Sequence, residues 1–300
     1  MIPIRSYLKL IRPKQWLKNF FIFAPLIFAK ELFQEKPLLA TLEAFFAFCF
    51  TASAVYIIND IADIDADRAH PEKRHRPLAA RAMPLAHAYG LIIVLLGLVV
   101  VLALQARFQF VVCLGAYFVM NLAYSFKLKE VVLLDVFIIA TGFMLRVLGG
   151  AYAIDVEVSS WIVLCTLFVS LFLGFAKRRG EILLNQEIAP STERTVLFHY
   201  RVEFIDQMLT IAAAGTVISY ALYTVAPRTL ELFGTDKVIY TTMFVIYGIF
   251  RYLYLIHTTN STENPTNAVT ADLPILATGI LWILCCVLLI YYYGHLIPGS

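Results

Sequence analysis

The chain has 300 residues, 60% of them hydrophobic and 15% charged, with a mean hydropathy of +0.77 and a formal net charge of +3. So little polar surface cannot cover a water-soluble globule, and successive apolar runs of about 18 to 24 residues match the thickness of a bilayer core. Composition therefore predicts an all-α, polytopic membrane protein, read as a single domain over 1–300 with no nucleic-acid partner. Spans are expected near 17–35, 38–58, 87–105, 108–126, 131–152, 159–176, 205–226, 237–257 and 273–294, a bundle of nine helices. The first is the weakest, because its uninterrupted apolar run is short and contains Pro25. Cys49, Cys113, Cys165, Cys285 and Cys286 all lie inside spans without metal-ligand spacing and read as small apolar residues.

Most of the 24 Lys and Arg fall on the N-terminus and the even-numbered connections. Only Lys30, Lys36, Arg107, Arg228 and Lys237 fall on the odd ones, and Arg146 lies inside a span. The positive-inside rule then puts the N-terminus and the even loops in the cytoplasm and the C-terminus outside, the orientation expected in a bacterial inner (cytoplasmic) membrane.

In chain order, residues 2–12 place Arg5, Lys9 and Arg12 on one helical face opposite Ile4, Leu8 and Ile11, an amphipathic helix suited to the headgroup layer and ended by Pro13. Lys14, Gln15, Trp16, Lys18 and Asn19 follow at the mouth of the first span, where Trp is an ordinary interfacial anchor and the lysines meet lipid phosphate or a substrate.

The chemistry concentrates after the second span, in Asn59-Asp60-Ile61-Ala62-Asp63-Ile64-Asp65-Ala66-Asp67. If the helix continues at about 100° per residue, Asp60, Asp63 and Asp67 fall within roughly 60° of one another, with Asn59 beside them and Asp65 pointing away. Carboxylates roughly 6 Å apart repel by about 3 kcal/mol per pair at an effective dielectric near 20, so the face needs a cation or neighbouring bases. Oxygen-only ligands suit Mg²⁺, which takes one or two carboxylates and fills its other positions with water and substrate phosphate. A solvated acidic helix end is the plain alternative. The basic run Arg68, Lys73, Arg74, His75, Arg76 tips the reading, because a metal-holding face beside anion-holding bases is what a Mg²⁺-diphosphate substrate requires.

The next cytoplasmic connection carries Tyr124, Lys127, Lys129 and Glu130. In the span after it, Asp135, Gly142, Arg146 and Gly149 share one face that must look into the bundle, since a charge facing lipid costs at least ~3 kcal/mol. Arg146 then lines a cavity or joins a structural ion pair. Lys177-Arg178-Arg179-Gly180-Glu181 opens a further polar loop, and Glu263, Asn264, Pro265 and Asp272 mark the last.

These stretches resemble the UbiA superfamily of intramembrane prenyltransferases, whose first signature, Asn-Asp-x-x-Asp-x-x-x-Asp, is matched by Asn59, Asp60, Asp63 and Asp67. Of the second aspartate-rich signature only Asp135 remains. The combined pattern is most similar to the decaprenyl-phosphate phosphoribosyltransferase branch, through Arg12-Pro13-Lys14-Gln15-Trp16-Leu17-Lys18-Asn19, the run from Asp67 to Pro77, Tyr124-Ser125-Phe126-x-Leu128-Lys129 and Lys177-Arg178-x-x-Glu181.

The resemblance implies a cytoplasm-facing active-site cavity, Mg²⁺ as cofactor, and transfer of 5-phosphoribose from 5-phosphoribosyl 1-diphosphate to a polyprenyl phosphate. It also implies a homotrimeric assembly in the membrane. Catalysis and metal binding fall to Asp60, Asp63 and Asp67, with Asn59 as a further ligand. Substrate binding falls to Lys18, Asn59, Lys73, Arg76, Tyr124, Lys127, Lys129, Asp135, Arg146, Lys177 and Arg178. Prenyl transfer from a polyprenyl diphosphate to an aromatic or lipid acceptor is the nearest alternative, and a transporter using Asp135 and Arg146 is a remote one.

Overall fold

The computed structural model describes residues 3–69, 73–187, 199–258 and 271–293, and every element among them is helical. The amphipathic segment forms α1 (Ile4–Ile11), which ends where Arg12 turns into the left-handed region (φ 55, ψ 59) with its N–H on the Leu8 carbonyl. Leu10 is fully buried while Ile4 and Leu8 stay exposed, so the helix has one face on protein and one free for the headgroup layer.

Eight helices among the described residues are long and apolar enough to cross a membrane, one fewer than the nine predicted. The difference lies in the weak first span. There the chain forms a 3₁₀ helix (Pro13–Phe23) followed by the short α2 (Ala24–Phe28). Pro13 lacks an N–H and follows a left-handed residue, and Pro25 removes another donor, so a continuous α-helix is not available here. Tight winding compensates in length: at ~2.0 Å per 3₁₀ residue and ~1.5 Å per α residue the segment rises about 30 Å, the thickness of a hydrocarbon core.

The spanning helices are α3 (Glu35–Ala62), α5 (Leu85–Ala103), α6 (Phe108–Phe126), α7 (Leu134–Ala153), α8 (Ser160–Glu187), α9 (Val202–Val225), α11 (Thr242–Thr258, entered through a 3₁₀ turn from Lys237) and α12 (Leu273–Val287, which continues as a π turn to Tyr293). Two short helices lie between them, α4 (Ile64–Ala69) and α10 (Pro227–Phe233). Glu263, Asn264 and Pro265 fall outside the described residues.

The chain packs as two compact units. One is made from residues 1–26, 31–138 and 142–157, the other from residues 27–30, 139–141 and 158–300. In the first unit Phe48 of α3, Phe110, Cys113 and Tyr117 of α6 and Ile22 of the 3₁₀ segment share a core. The glycines of α7 make it possible. A Cβ on Gly149 would lie 2.7 Å from the Phe48 ring, and one on Gly150 only 2.1 Å from the Ile22 carbonyl oxygen. A second cluster joins Leu10 to Ala54, Ile57, Leu78, Met83 and Leu95 and so fastens α1 and the loop after α4 to the bundle.

In the second unit Tyr223, Phe233, Val238, Cys286 and Ile290 form the core. The Tyr220 hydroxyl sits 2.6 Å from Thr241 Oγ1 and accepts from Trp282 Nε1 at 2.9 Å.

Candidate active site

The last turn of α3 presents Asn59 and Asp60, and α4 brings back Asp67. Asp60 is 2% exposed and Asp67 3%. Both are met by Arg76, which leaves the 3₁₀ turn Lys73–His75 and places one nitrogen, Nη1, 3.0 Å from Asp60 Oδ1 and 2.8 Å from Asp67 Oδ2. Arg12 Nη2 adds a 2.5 Å contact to Asp60 Oδ1. Asp63 faces elsewhere, with Lys129 Nζ 3.8 Å from its Oδ2.

The continuous helix that would have put three carboxylates together is interrupted. At Asp63 the backbone leaves α geometry (φ −97, ψ 11), and α4 restarts with a changed phase. Among the described residues no three His, Cys, Asp or Glu side chains stand close enough to share one metal ion. What converges is the pair Asp60 and Asp67, whose oxygens flank a single cationic nitrogen. Two buried hard oxygen donors around one cation position fit Mg²⁺, which needs one or two carboxylates and takes its remaining ligands from water and phosphate. Asn59, half-buried, makes no side-chain hydrogen bond among the described residues and is uncommitted beside them. The repulsion anticipated among the carboxylates is met by three bases: Arg12 and Arg76 on Asp60, Arg76 also on Asp67, and Lys129 on Asp63.

Arg146 is 6% exposed, and every group holding it is neutral. Its Nε donates to Asn19 Oδ1 at 2.6 Å, Nη1 to the Gly142 carbonyl at 2.8 Å and Nη2 to the Tyr117 hydroxyl at 2.8 Å, with the guanidinium over the Tyr117 and Phe143 rings. Asp135 shares its helical face but lies eleven residues away, about 16 Å along α7, so the two do not pair. Half-buried Lys18 has no ion-pair partner among the described residues. Arg146 and Lys18 are thus two bases of the first unit that no carboxylate holds among the described residues.

Of the other predicted binding residues, Lys127 is exposed at the end of α6 with Tyr124 half-buried one turn earlier, Lys73 is exposed, and Asp135 is fully buried. Lys177 and Arg178 belong to the second unit. Lys177 Nζ lies 3.6 Å from Glu181, and Arg178, fully buried, donates to the same carboxylate, so both are engaged within α8. Arg179 beside them reaches Asp206 at 2.7 Å and the Ile256 carbonyl at 2.8 Å.

Comparison with known proteins gives the family. The sequence model described as the UbiA prenyltransferase family matches residues 20–268. The chain belongs to the UbiA family. It is 33% identical to a decaprenyl-phosphate phosphoribosyltransferase of Corynebacterium glutamicum, over 95% of this chain and 86% of that one. It is also 33% identical to the protein of that name from Mycolicibacterium smegmatis, over 73% and 70%. A solved UbiA homologue from Archaeoglobus fulgidus, bound to DMAPP and Mg²⁺, superposes with a TM-score of 0.72 over 96% of this chain and 99% of that one, at 21% identity. This UbiA protein is therefore a multi-pass membrane enzyme, and the transporter reading is set aside.

Arg12, Asn19 and Tyr117 escaped the sequence-based site. Helical phase put Arg12 with Arg5 and Lys9 on the outer face of α1, and only the left-handed turn before Pro13 redirects it to Asp60. Its place at the head of the Arg12-to-Asn19 stretch was the available signal.

Proposed function

We propose that this UbiA enzyme transfers 5-phosphoribose from 5-phosphoribosyl 1-diphosphate to a polyprenyl phosphate at the cytoplasmic side of a bacterial inner membrane. The observation that carries the reading is a pair of bases in the first unit, Arg146 and Lys18, that pair with no acid among the described residues. Arg12, Arg76 and Lys129 serve Asp60, Asp63 and Asp67, while Arg146 and Lys18 are held by no carboxylate among the described residues. A prenyl diphosphate with a neutral acceptor brings one anionic group to the site. A phosphoribosyl donor and a lipid phosphate bring three, which these two uncommitted bases would help to balance. The 33% identity to phosphoribosyltransferases over most of the chain supports the same choice.

In this reading Asp60 and Asp67, with Asn59 beside them, hold Mg²⁺. When bound, the metal supplies charge neutralisation at the leaving diphosphate. Arg76 and Arg12 would then exchange carboxylate oxygens for phosphate oxygens. Lys129 faces Asp63 at the edge of the site, and Lys73 and Lys127 extend the basic rim.

Lys18 and Arg146 receive the acceptor phosphate, which enters from the lipid side. One of its oxygens bonds to ribose C1 as the bond from C1 to diphosphate breaks, and the developing positive charge at C1 is offset by the departing anion. No general base is required, because the acceptor oxygen is already ionised. The N-terminus lies in the cytoplasm and the C-terminus outside, an odd number of crossings that counts the 3₁₀ segment as one. A homotrimer is the assembly implied by resemblance.

Thermal unfolding of the purified protein tests the donor assignment. Phosphoribosyl diphosphate with Mg²⁺ should raise the unfolding midpoint of the wild type and leave that of Asp60→Ala and Asp67→Ala unmoved. A rise of equal size in both variants would overturn the metal and donor assignment.

A further inference from the structure

A second site lies on the same unit, at the other side of α4. A cleft of about 320 Å³ is walled by Ile64, Leu78, Met83 and Leu85 and carries Arg68 and Arg81. Ile64 and Arg68 are one turn apart and share a face of α4, whereas Asp67 is rotated about 100° from Arg68 toward Arg76, so the cleft is separate from the carboxylate pair.

Its two cations differ in commitment. Arg68 donates to Asp65 at 2.9 Å and more weakly to the Ala79 carbonyl at 3.4 Å, but Asp65 is 95% exposed and screened by water. Arg81 is exposed and has no side-chain partner among the described residues. Its backbone is held in the left-handed region (φ 55), a conformation that non-glycine residues adopt chiefly where something around them fixes it.

Two observations set the depth of the cleft. Leu78 and Met83, in its wall, belong to the cluster that packs Tyr7 and Leu10 of α1, whose opposite residues Ile4 and Leu8 are exposed and apolar. Leu85, at its mouth, is the first residue of spanning helix α5 and is 46% exposed. The cleft therefore opens where a surface-lying helix and the start of a membrane span coincide, at the headgroup layer. Apolar walls facing the acyl region and guanidiniums facing the phosphate layer are complementary to one kind of molecule.

We propose that the cleft between α4 and α5 binds an anionic membrane phospholipid, its phosphate on Arg68 and Arg81 and its glycerol and first acyl carbons against Met83 and Leu85. This is a lipid site distinct from the catalytic one. The phospholipid ties α1, the loop after α4 and the start of α5 into one surface beside the basic rim.

The test uses the full chain in detergent, titrated with phosphatidylglycerol or phosphatidylcholine and read by native mass spectrometry and by the unfolding midpoint. Phosphatidylglycerol should bind the wild type more tightly than phosphatidylcholine. Removing both guanidiniums in Arg68→Gln with Arg81→Gln should cost about 25-fold in that affinity, roughly fivefold for each charge. Leu85→Glu, which keeps both arginines but sets a carboxylate at the mouth, should give a loss of the same sign. The charge-matched control Arg5→Gln with Lys9→Gln on α1 should bind as the wild type does.

Unchanged phosphatidylglycerol affinity in the cleft variants would overturn the proposal. So would an equal loss in the α1 control, which would mean diffuse attraction to a basic surface. Displacement of the lipid by inorganic phosphate, or preference for polyprenyl phosphate over phosphatidylglycerol, would overturn the phospholipid assignment.

Discussion

Asp67→Asn separates the structural from the chemical contribution of the buried carboxylate pair. The substitution keeps the size of the side chain and removes the charge that meets Arg76 Nη1 at 2.8 Å. A charge-assisted bond of this kind contributes about 1.5–3 kcal/mol when buried. Arg76 is 26% exposed and still holds Asp60 at 3.0 Å, so the stability cost should fall to about 1–2 kcal/mol. Turnover should suffer far more if Asp67 holds the metal as proposed, because that contact would act on the transition state, where loss of one such contact costs on the order of 10²–10³ in rate. Asp65→Asn is the control, since Asp65 is 95% exposed and meets only Arg68. It should change stability by less than about 0.5 kcal/mol and leave turnover intact. Paired measurements of the unfolding midpoint and of diphosphate release in detergent read both quantities. If Asp67→Asn lowers the midpoint as expected but keeps turnover within about threefold of wild type, its carboxylate is an ion-pair strut and the metal assignment fails.

Arg146→Met should reduce turnover with polyprenyl phosphate while leaving the stabilisation by phosphoribosyl diphosphate and Mg²⁺ in place. Loss of donor binding with acceptor use intact would reverse the assignment of Lys18 and Arg146. Gly150→Ala should destabilise the first unit by about 1–3 kcal/mol, the range for an overpacked core, because its Cβ would meet the Ile22 carbonyl oxygen at 2.1 Å. A wild-type unfolding midpoint would show that the 3₁₀ segment is not fastened to α7 there. In the second unit, the Arg251 side chain, joined by the Ile275 N–H, holds the Asp272 carboxyl below the usual carboxylate range. A depressed folded-state value means that its stabilisation is present at neutral pH and is lost as pH falls through that lowered value. The midpoint difference between wild type and Asp272→Asn should accordingly shrink on acidification. A difference that grows toward acid would contradict the pairing.

Most of the spanning helices were legible because hydrophobic runs report directly on a bilayer. The first predicted span was not, since helical periodicity anticipates one α-helix there, whereas the chain winds as a 3₁₀ helix from Pro13 to Phe23 and then as the short α2. The Asp60 and Asp67 pair was legible from phase, as the two residues differ by nearly two full turns. Asp63 was misplaced because phase assumes an unbroken helix, and the backbone changes direction at that residue. Helical counting likewise hid Arg12, whose direction is set by one left-handed residue. The glycine-bearing face of α7 was read correctly as the inward one, and Gly149 does admit Phe48 of α3. The same counting put Asp135 and Arg146 on one face without revealing that Asn19 and Tyr117, distant in sequence, hold the arginine.

The central claim is the identity of the transferred group, and a single mass measurement addresses it. Purified protein is incubated with Mg²⁺, polyprenyl phosphate and phosphoribosyl diphosphate, and in parallel with polyprenyl diphosphate and 4-hydroxybenzoate. The account predicts diphosphate release and a lipid heavier by one phosphoribosyl unit in the first mixture, with no product in the second. Prenylated 4-hydroxybenzoate in the second mixture and an unchanged lipid in the first would contradict it.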